Sequence, residues 1–322
     1  MSVVAIDLGG TKISSAFVNA NGDILGRRHA LLGGRTGRDV AKLLIEQYEA
    51  IVRASGDAPD AVGVIVPGIY RAARGTVWAP NIAGWDDYPL RDELQDAVEP
   101  GIQVVIDSDR AGYILGETWR GAARGARDAI FLAVGTGIGA GILIDGRVLR
   151  GHGDIAGAIG WLALDRPYGR HYADCGCFES HASGPGLTSV ALERLRADPS
   201  YDGELASGEL STGRLFAAYD RGDRIAREVL DDAVQFWGIA AANLVSLFNP
   251  EWIVFGGGVF GPATRFLDRV AAEAKRWAQP IAMEQVRFVA SSLGGDAGLY
   301  GAARLALMRE GRAAGPAAIN NQ

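Results

Sequence analysis

The order of apolar runs along the chain predicts an α/β protein in which one folding unit occurs twice. The 322 residues leave room for two domains of ordinary size, each able to bury its own core. A glycine-threonine turn between two short apolar runs occurs at residues 7–12 and again at residues 135–141. After each turn, strand patterns alternate with helix patterns. We therefore expect two βββαβαβα units that form two lobes with a ligand-binding cleft between them.

The elements of the first half are predicted from the spacing of apolar residues. Short apolar runs that end in turn residues indicate strands, and the run at 61–66 stops at Pro67-Gly68. Residues 37–55 carry apolar side chains at helical spacing. The predicted elements are strands 3–6, 13–18, 24–32, 61–66 and 102–106, and helices 37–55, 89–97 and 110–121.

The second half repeats this order around one irregular segment at residues 151–186. A long helix begins near Asp223 and ends at Asn249-Pro250, and small residues such as Gly238 suit it to close packing. The predicted elements are strands 130–134, 142–144, 147–149, 252–255 and 285–290, and helices 187–196, 211–220, 223–248, 262–277 and 298–310.

The same pattern sets the expected domain boundaries. Residues 1–106 form an N-terminal lobe and residues 107–297 a C-terminal lobe. The helix at 298–310 is expected to pack back on the N-terminal lobe, and residues 311–322 are expected to be a flexible tail.

Composition and charge exclude several classes of protein. The net charge of −6 is opposite to the basic face that a nucleic-acid-binding protein needs. No apolar run approaches the ~20 residues of a membrane span, and the chain starts directly with a strand, which indicates no signal peptide. Cys175 and Cys177 are too close together for an ordinary structural disulfide. We expect a cytoplasmic protein with no nucleic-acid or membrane partner.

The glycine-threonine turns are candidate phosphate-binding sites. Glycine lets the backbone approach phosphate oxygens, threonine and lysine add donors, and an aspartate can hold magnesium through water. The competing interpretation is a tight hairpin with glycine for geometry alone, which the repetition of the turn disfavours. The candidate phosphate or nucleotide ligands are Asp7 (also the magnesium ligand), Gly9, Gly10, Thr11, Lys12, Gly135, Thr136, Gly137, Gly256, Gly257 and Gly258.

Phosphoryl transfer to a hydroxyl also needs a base, and the end of strand 102–106 offers two carboxylates. These are Asp107 and Asp109, on either side of Ser108, and both are expected to face the cleft. Either could be the base, and both could instead be solvated turn residues or a helix N-cap. Spacing alone leaves the choice open.

These motifs together resemble the ROK family (repressors, open reading frames, sugar kinases), within the superfamily of actin, hexokinase and the heat-shock ATPases. The resemblance extends from about Val3 to Leu305. The family's repressors carry a DNA-binding module before the first phosphate motif, for which this sequence leaves no room. The matching motifs are the phosphate turns at 7–12 and 135–139, the sugar-contacting loops at 66–68 and 80–85, and the nucleotide segment at 253–258.

The resemblance implies a two-lobed, actin-like (ribonuclease H-like) ATPase fold. Anchoring the family's catalytic stretch on residues 115–117 places its base at Asp109 and leaves Asp107 outside the motif. The resemblance also implies ATP as phosphate donor, magnesium as cofactor and a homodimer, although phosphate turns alone do not exclude polyphosphate as the donor. The implied substrate ligands are Gly68, Asn81, Ser108, Asp109, Ala158, Trp161 and Glu179.

The sequence departs from the family where the anomeric end of the sugar is bound. The family's Gly-Glu-Ile-Gly-His becomes residues 157–161, with Ala158 and Trp161 in place of the carboxylate and the imidazole. Alanine offers no acceptor, and tryptophan offers a flat ring with one N–H donor. We therefore expect an acceptor that is altered at that end, such as a glycoside, an amino sugar or a cyclitol.

The family's zinc motif is also broken. Arg170 and Tyr172 stand where its first two cysteines belong, and Cys177 is the cysteine that keeps its place. We therefore expect no zinc. The alternative is a rearranged zinc site, because four suitable ligand types lie within one short loop, namely His171, Cys175, Cys177 and His181.

The sequence thus predicts an ATP-dependent carbohydrate kinase, a phosphotransferase with an alcohol group as acceptor. The implied acceptor is a primary hydroxyl, the 6-position of a hexose or of a hexose-like molecule. The alternative is a non-catalytic or weakly active relative that binds sugar or nucleotide as a signal. The presence of Asp7, Thr11, Asp109 and Thr136 favours the kinase.

Overall fold

Two five-stranded sheets with matching strand order form the framework of the protein, whose computed structural model describes residues 1–308. The strands are β1 (Ser2–Leu8), β2 (Lys12–Asn19), β3 (Ile24–Leu31), β4 (Ala61–Val66), β5 (Ile69–Arg71), β6 (Thr76–Trp78), β7 (Gln103–Ser108), β8 (Ala129–Val134), β9 (Ile138–Ile144), β10 (Arg147–Val148), β11 (Trp252–Gly256) and β12 (Arg287–Ala290). The helices are α1 (Gly37–Ser55), α2 (Leu90–Ala97), α3 (Asp109–Arg120), α4 (Tyr172–Cys175), α5 (Cys177–Ala182), α6 (Gly184–Ala197), α7 (Thr212–Asp220), α8 (Arg224–Phe248), α9 (Leu267–Trp277), α10 (Pro280–Gln285) and α11 (Ala297–Leu307).

The first sheet has the order β3-β2-β1-β4-β7. β1, β2 and β3 are antiparallel neighbours, and β4 and β7 continue from β1 in parallel. One face carries Val4 and Ile6 and shares an apolar core with α1 and α2. The other face packs against α11, which crosses β4 closely, since a Cβ on Gly63 would lie 1.9 Å from the carbonyl oxygen of Ala302. The carboxyl ends of β1, β4 and β7 consequently lie at one edge of the sheet.

The second sheet has the order β10-β9-β8-β11-β12, which reproduces the first sheet strand for strand. Again a three-stranded antiparallel part is continued by parallel strands. Its core is dominated by α8, where a Cβ on Gly238 would lie 2.6 Å from the Cβ of Glu273 on α9. Small residues on α8 thus allow the close helix packing that its composition predicts. The α/β class and the duplicated sheet are confirmed.

Residues 1–308 form two compact units, and each unit is built from more than one stretch of the sequence. The first unit contains residues 1–124 and 150–155 and the described residues from Gly295 on, and the second contains residues 125–149 and 156–294. The boundary predicted at residue 106 therefore differs from the observed one at residue 124. The reason is that α3 packs on α11, where a Cβ on Gly301 would lie 2.0 Å from the carbonyl oxygen of Gly112. The predicted tail at 311–322 lies outside the described residues.

Several elements differ from their predicted bounds. The segment predicted as irregular, 151–186, contains α4, α5 and a 3₁₀ turn at Ile159–Trp161. The helix predicted at 262–277 starts as 3₁₀ helix, Pro262–Phe266, before α9 begins. The β5–β6 hairpin and α10 were not predicted, because strands of three residues and a six-residue helix are too short to show a period. None of the helices within residues 1–308 combines the length and apolar character of a membrane span.

Candidate active site

The first glycine turn connects β1 and β2 next to an asparagine side chain. Leu8 and Ile13 are the last paired residues, and the Gly9 N–H donates to the carbonyl oxygen of Lys12 at 2.9 Å. A Cβ on Gly10 would lie 2.7 Å from Asn81 Nδ2, so the Asn81 amide approaches the turn closely and would have to move for a larger residue at this position. The turn is otherwise exposed, and its backbone is therefore accessible to an anion.

Asp7 lies at the carboxyl end of β1 and faces α11. It is in register with Ile65 of β4, which is in register with Asp107 of β7, so two strand spacings (roughly 10 Å) separate Asp7 from Asp107. A Cβ on Gly298 would lie 2.2 Å from Asp7 Oδ2. Burial, followed by the charge of Asp109, raises the pKa of Asp7 to about 7, and the charge of Lys12 opposes this rise. Asp7 is thus a buried acid with a second acid nearby.

Asp107 is held by an arginine. Arg150 Nε donates to Asp107 Oδ2 at 3.0 Å, and Arg150 Nη2 donates to the same oxygen. The Ser108 N–H donates to Asp107 Oδ1 at 2.9 Å. Only 4% of Asp107 is exposed, so this ion pair is largely removed from water. The arrangement suits a structural carboxylate better than a base.

Asp109 is the first residue of α3 and has different surroundings. Ser108 caps the helix by accepting the Ala111 N–H at 3.3 Å, and Asp109 Oδ1 accepts the Arg110 N–H at 2.7 Å. Burial raises the pKa of Asp109 to about 6, against the opposing charge of Arg110. A pKa near the operating pH is the property that a general base needs.

Tyr113 is a further candidate for the site, and the sequence motifs do not point to it. It lies one helical turn after Asp109 on α3, so both side chains project from one face of the helix. Burial, followed by the charges of Asp109 and Asp7, raises the pKa of Tyr113 well above its ordinary value. The phenol therefore stays protonated beside the two carboxylates. The four-residue spacing from Asp109 is the signal that could have identified it.

The loop after β4 also reaches the start of α3. Val66 is in register with Ser108, and Arg110 Nη2 donates to the carbonyl oxygen of Gly68 at 3.4 Å. Gly68 has φ +83°, and a Cβ there would lie 2.2 Å from the carbonyl oxygen of Trp78. The first unit thus assembles Asp7, Gly10, Gly68, Asn81, Ser108 and Asp109.

In the second unit, three glycine-containing loops meet. The Gly135 N–H donates to the Gly137 carbonyl oxygen at 2.9 Å, which closes the turn between β8 and β9. The Gly184 N–H donates to the Gly135 carbonyl oxygen at 2.8 Å. A Cβ on Gly135 would lie 3.8 Å from the N atom of Gly258, which places the third glycine turn beside the second. Within the third glycine turn, Gly257 has φ +90°, a conformation that favours glycine.

Glu179 on α5 lies against the second glycine turn. Its Oε2 accepts the Ile138 N–H at 2.6 Å, and a Cβ on Gly137 would lie 3.1 Å from the same oxygen. Burial raises the pKa of Glu179, and the bond from Ile138 opposes the rise. Thr136 and Glu179 line a common cavity of about 310 Å³ within the second unit.

Ala158 precedes the 3₁₀ turn that contacts Glu179, and Trp161 is the last residue of that turn. A Cβ on Gly160 would lie 2.8 Å from Glu179 Oε2, so the turn touches the carboxylate directly. Trp161 follows immediately and is 57% exposed, an unusual fraction for tryptophan. The exposed indole thus follows directly after the residue that touches the Glu179 carboxylate.

The residues of the alternative zinc site are not gathered around a metal position. Among residues 1–308, no three His, Cys, Asp or Glu side chains are grouped so that they could hold a metal ion. Cys175 Sγ lies 3.2 Å from Ser180 Oγ, while His181 is hydrogen-bonded to Tyr172. The rearranged site of His171, Cys175, Cys177 and His181 gains no support.

The sequence profile of the ROK family matches residues 3–309. A glucokinase of Halalkalibacterium halodurans is 31% identical over 95% of this chain and 95% of its own. The crystal structure of a ROK hexokinase from Thermus thermophilus superposes with a TM-score of 0.84 and 32% identity, over 97% of this chain and 99% of that one. The chain therefore belongs to the ROK family.

A ROK family glucokinase from Streptomyces griseus, solved in complex with glucose and AMPPNP, has a TM-score of 0.74 and 29% identity over 95% of this chain and 99% of its own. A xylose repressor of Caldicellulosiruptor bescii is also similar, at 31% identity over 84% of this chain and 69% of its own. The glucokinases and the hexokinase support a sugar kinase, that is, a phosphotransferase with an alcohol group as acceptor.

Proposed function

We propose that this protein transfers the γ-phosphate of ATP to a primary hydroxyl, the 6-position, of a hexose or hexose-like acceptor. The observation that carries the proposal is the pair of carboxylates at the carboxyl edge of the first sheet. Asp109 has a pKa of about 6, whereas Asp107, two residues away, is neutralised by Arg150. The pair therefore contains one carboxylate that can take a proton and one that is already paired.

In the proposed reaction, Asp109 accepts the proton of the acceptor hydroxyl. The hydroxyl oxygen then attacks the γ-phosphorus, the bond from that phosphorus to the bridging oxygen breaks, and ADP leaves with the electron pair. Ser108, Asn81 and Gly68 orient the acceptor, while Thr11 and Lys12 donate to phosphate oxygens. Asp109 lies at the N-terminus of α3, so its orientation is fixed by the helix cap on Ser108.

The first unit also fits a magnesium ion. Desolvation and the nearby charge of Asp109 raise the cost of negative charge on Asp7, and a divalent cation held through water by the Asp7 carboxylate would relieve that cost. Magnesium there would supply positive charge beside the phosphates. The exposed turn at Gly9 and Gly10 would present backbone N–H groups to the same phosphates.

We assign the remaining roles to the second unit. Gly135, Thr136 and Gly137 would bind phosphate oxygens, and Gly256, Gly257 and Gly258 would bind the nucleotide. Glu179 would accept a hydroxyl of the acceptor. These roles are supported by the convergence of the glycine loops and by the cavity that Thr136 shares with Glu179.

The acceptor is proposed to differ from a plain hexose at its anomeric end. Ala158 offers no hydrogen-bonding side chain, and Trp161 offers an exposed ring on which an apolar sugar face or a substituent can stack. A site without polar groups loses its strict demand for a free hydroxyl. Glycosides, amino sugars and cyclitols fit this description.

The proposal is tested by ADP release from ATP and magnesium over a panel of hexoses, amino sugars, β-glucosides and cyclitols. A second series replaces ATP by polyphosphate and measures the phosphorylated acceptor itself, because no ADP forms in that reaction. Phosphorylation of at least one class is expected, and the product's linkage identifies the hydroxyl. Silence across the panel, together with retained sugar or nucleotide binding, would favour the alternative of a non-catalytic or weakly active relative that binds sugar or nucleotide as a signal. The expected homodimer stays a prediction.

A further inference from the structure

The segment from Asp165 to His181 is organised around a phenolic hydroxyl. The Tyr172 hydroxyl and His181 Nε2 are hydrogen-bonded at 2.8 Å, and the hydroxyl lies 3.4 Å from Asp165 Oδ2. Only 7% of Tyr172 is exposed. Burial, followed by the neighbouring Cys177 and Asp165, raises its pKa to about 12, so the hydroxyl keeps its proton and can donate it. One oxygen atom thus connects three parts of the segment.

His181, the closer hydrogen-bond partner of the Tyr172 hydroxyl, is itself packed against the core. The His181 ring stacks on Phe236 of α8 with centroids 4.4 Å apart and planes 8° apart. Burial lowers the pKa of His181, which keeps the ring neutral against the opposing charge of Asp165. The Ala182 carbonyl oxygen next to it accepts the Trp237 Nε1–H at 3.1 Å. The carboxyl end of α5 is therefore attached to α8.

Glu179, whose carboxylate is proposed to bind the acceptor, lies between the attached ends of α5. Glu179 stands two residues before His181 and two after Cys177, all on α5. The turn before α5 is packed equally closely, because a Cβ on Gly176 would lie 2.4 Å from the carbonyl oxygen of Gly160. With both ends of α5 held, Glu179 Oε2 reaches the Ile138 N–H at 2.6 Å. A shift of this short helix would move Glu179 directly.

The donor set does not fit the metal that the broken cysteine motif would otherwise hold. Tetrahedral zinc needs four Cys or His ligands around one point, and Arg170 and Tyr172 supply neither. Across residues 1–308 no three suitable side chains form such a group.

We propose that this protein holds no zinc and that the Tyr172 hydroxyl, bound to His181, cross-links the segment in place of a metal and thereby positions Glu179 for the acceptor. Tyr172 is accordingly a positioning residue. Its effect on the acceptor rests on the proposed function, whereas the absence of zinc and the effect on stability do not.

The first test measures metal content and thermal unfolding of the purified protein, before and after treatment with a chelator. We expect far less than one zinc per chain and an unchanged midpoint. One zinc per chain, or a midpoint that falls with chelator and recovers with zinc, would overturn the proposal. This result is independent of any substrate, and it requires no variant to fold.

The second test compares Tyr172→Phe with Tyr168→Phe, a matched control whose side chain is 72% exposed in the same segment. Tyr172→Phe should lower the unfolding midpoint and raise KM for the acceptor about tenfold, with kcat and KM for ATP within about twofold. Tyr168→Phe should change none of these. When Glu179 has already been replaced by Gln, adding Tyr172→Phe should raise the acceptor KM no further. An undiminished effect in that background would show that Tyr172 does not act through Glu179.

Discussion

The carboxylates of Asp107 and Asp109 have opposite electrostatic surroundings. The guanidinium of Arg150 neutralises Asp107, while burial destabilises the charge of Asp109 and raises its pKa to about 6. A carboxylate that is costly to ionise gains from taking a proton, and a paired one does not. The two carboxylates therefore differ in how readily each accepts a proton, although they are only two residues apart.

Replacing Asp109 by Asn should abolish turnover while ATP still binds. Asparagine keeps the size of the side chain but removes its basicity, so kcat should fall by about 10²–10⁴-fold. Steady-state kinetics and a nucleotide-binding titration measure the two effects. Asp107→Asn is the matched change, and if it were the variant that lost turnover, the base would be Asp107.

The pH dependence of kcat/KM should show an acid limb. A general base works in its deprotonated form, so with Asp109 as the proposed base kcat/KM should rise with pH through an apparent pKa of about 6. Asp7, with a pKa of about 7, titrates close by, and the limb belongs to the pair. Initial rates from pH 5 to 9 at subsaturating acceptor check this. A flat profile across that range would contradict the assignment.

At the scale of elements, β7 and α3 are joined by the segment that carries Asp107, Ser108 and Asp109. Arg150 holds the end of β7 through Asp107, and Ser108 starts α3 as its cap. Arg150→Met should lower the free energy of unfolding by about 3 kcal/mol, because Asp107 would keep its buried charge without the guanidinium. Denaturant unfolding measures the change. The double variant with Asp107→Asn should recover part of the loss, and an equal or larger loss would contradict an ion-pair effect.

The contact between α3 and α11 depends on glycine. A Cβ on Gly301 would lie 2.6 Å from the Gly112 Cα as well as close to its carbonyl oxygen, so Gly301→Ala must push the helices apart. We expect a loss of about 1–3 kcal/mol. Gly213→Ala on α7 is the control, since a Cβ there meets nothing within 4 Å and alanine favours a helix. Equal unfolding midpoints for both variants would show that the helices adjust without cost.

At the scale of the whole molecule, the buried acids make stability depend on pH. The pKa values of Asp7 and Asp109 are raised in the folded state, so the folded state binds more protons and stability falls as pH rises from about 4 through 7. Asp7→Asn removes one of these groups. Without ligands, its unfolding midpoint should exceed that of the unmodified protein by several degrees at pH 8 and by much less at pH 4. A gain that is equal at both pH values would point to packing instead.

The sequence predicts features that are set by neighbouring residues better than contacts between residues far apart along the chain. Helix α1 is predicted to its exact bounds, because its apolar period ends at Gly56, which takes the left-handed conformation. The glycine turns are equally local. Arg150 lies 43 residues from Asp107, and Tyr172 meets His181 only after α4 and α5 have formed, so no local pattern reports either contact. The boundary between the units depends in the same way on α11 packing against α3.

The exposed indole of Trp161 would report occupancy of the proposed acceptor site. Indole emission shifts and intensifies when water around the ring is replaced. Trp85 and Trp237 are buried, whereas Trp277 is 61% exposed, so a Trp161→Phe variant identifies the part of the signal that comes from Trp161. Binding of an acceptor that covers Trp161 would therefore change the intrinsic fluorescence of the unlabelled protein. The ring on which the proposed acceptor stacks would then also allow its binding to be followed by titration.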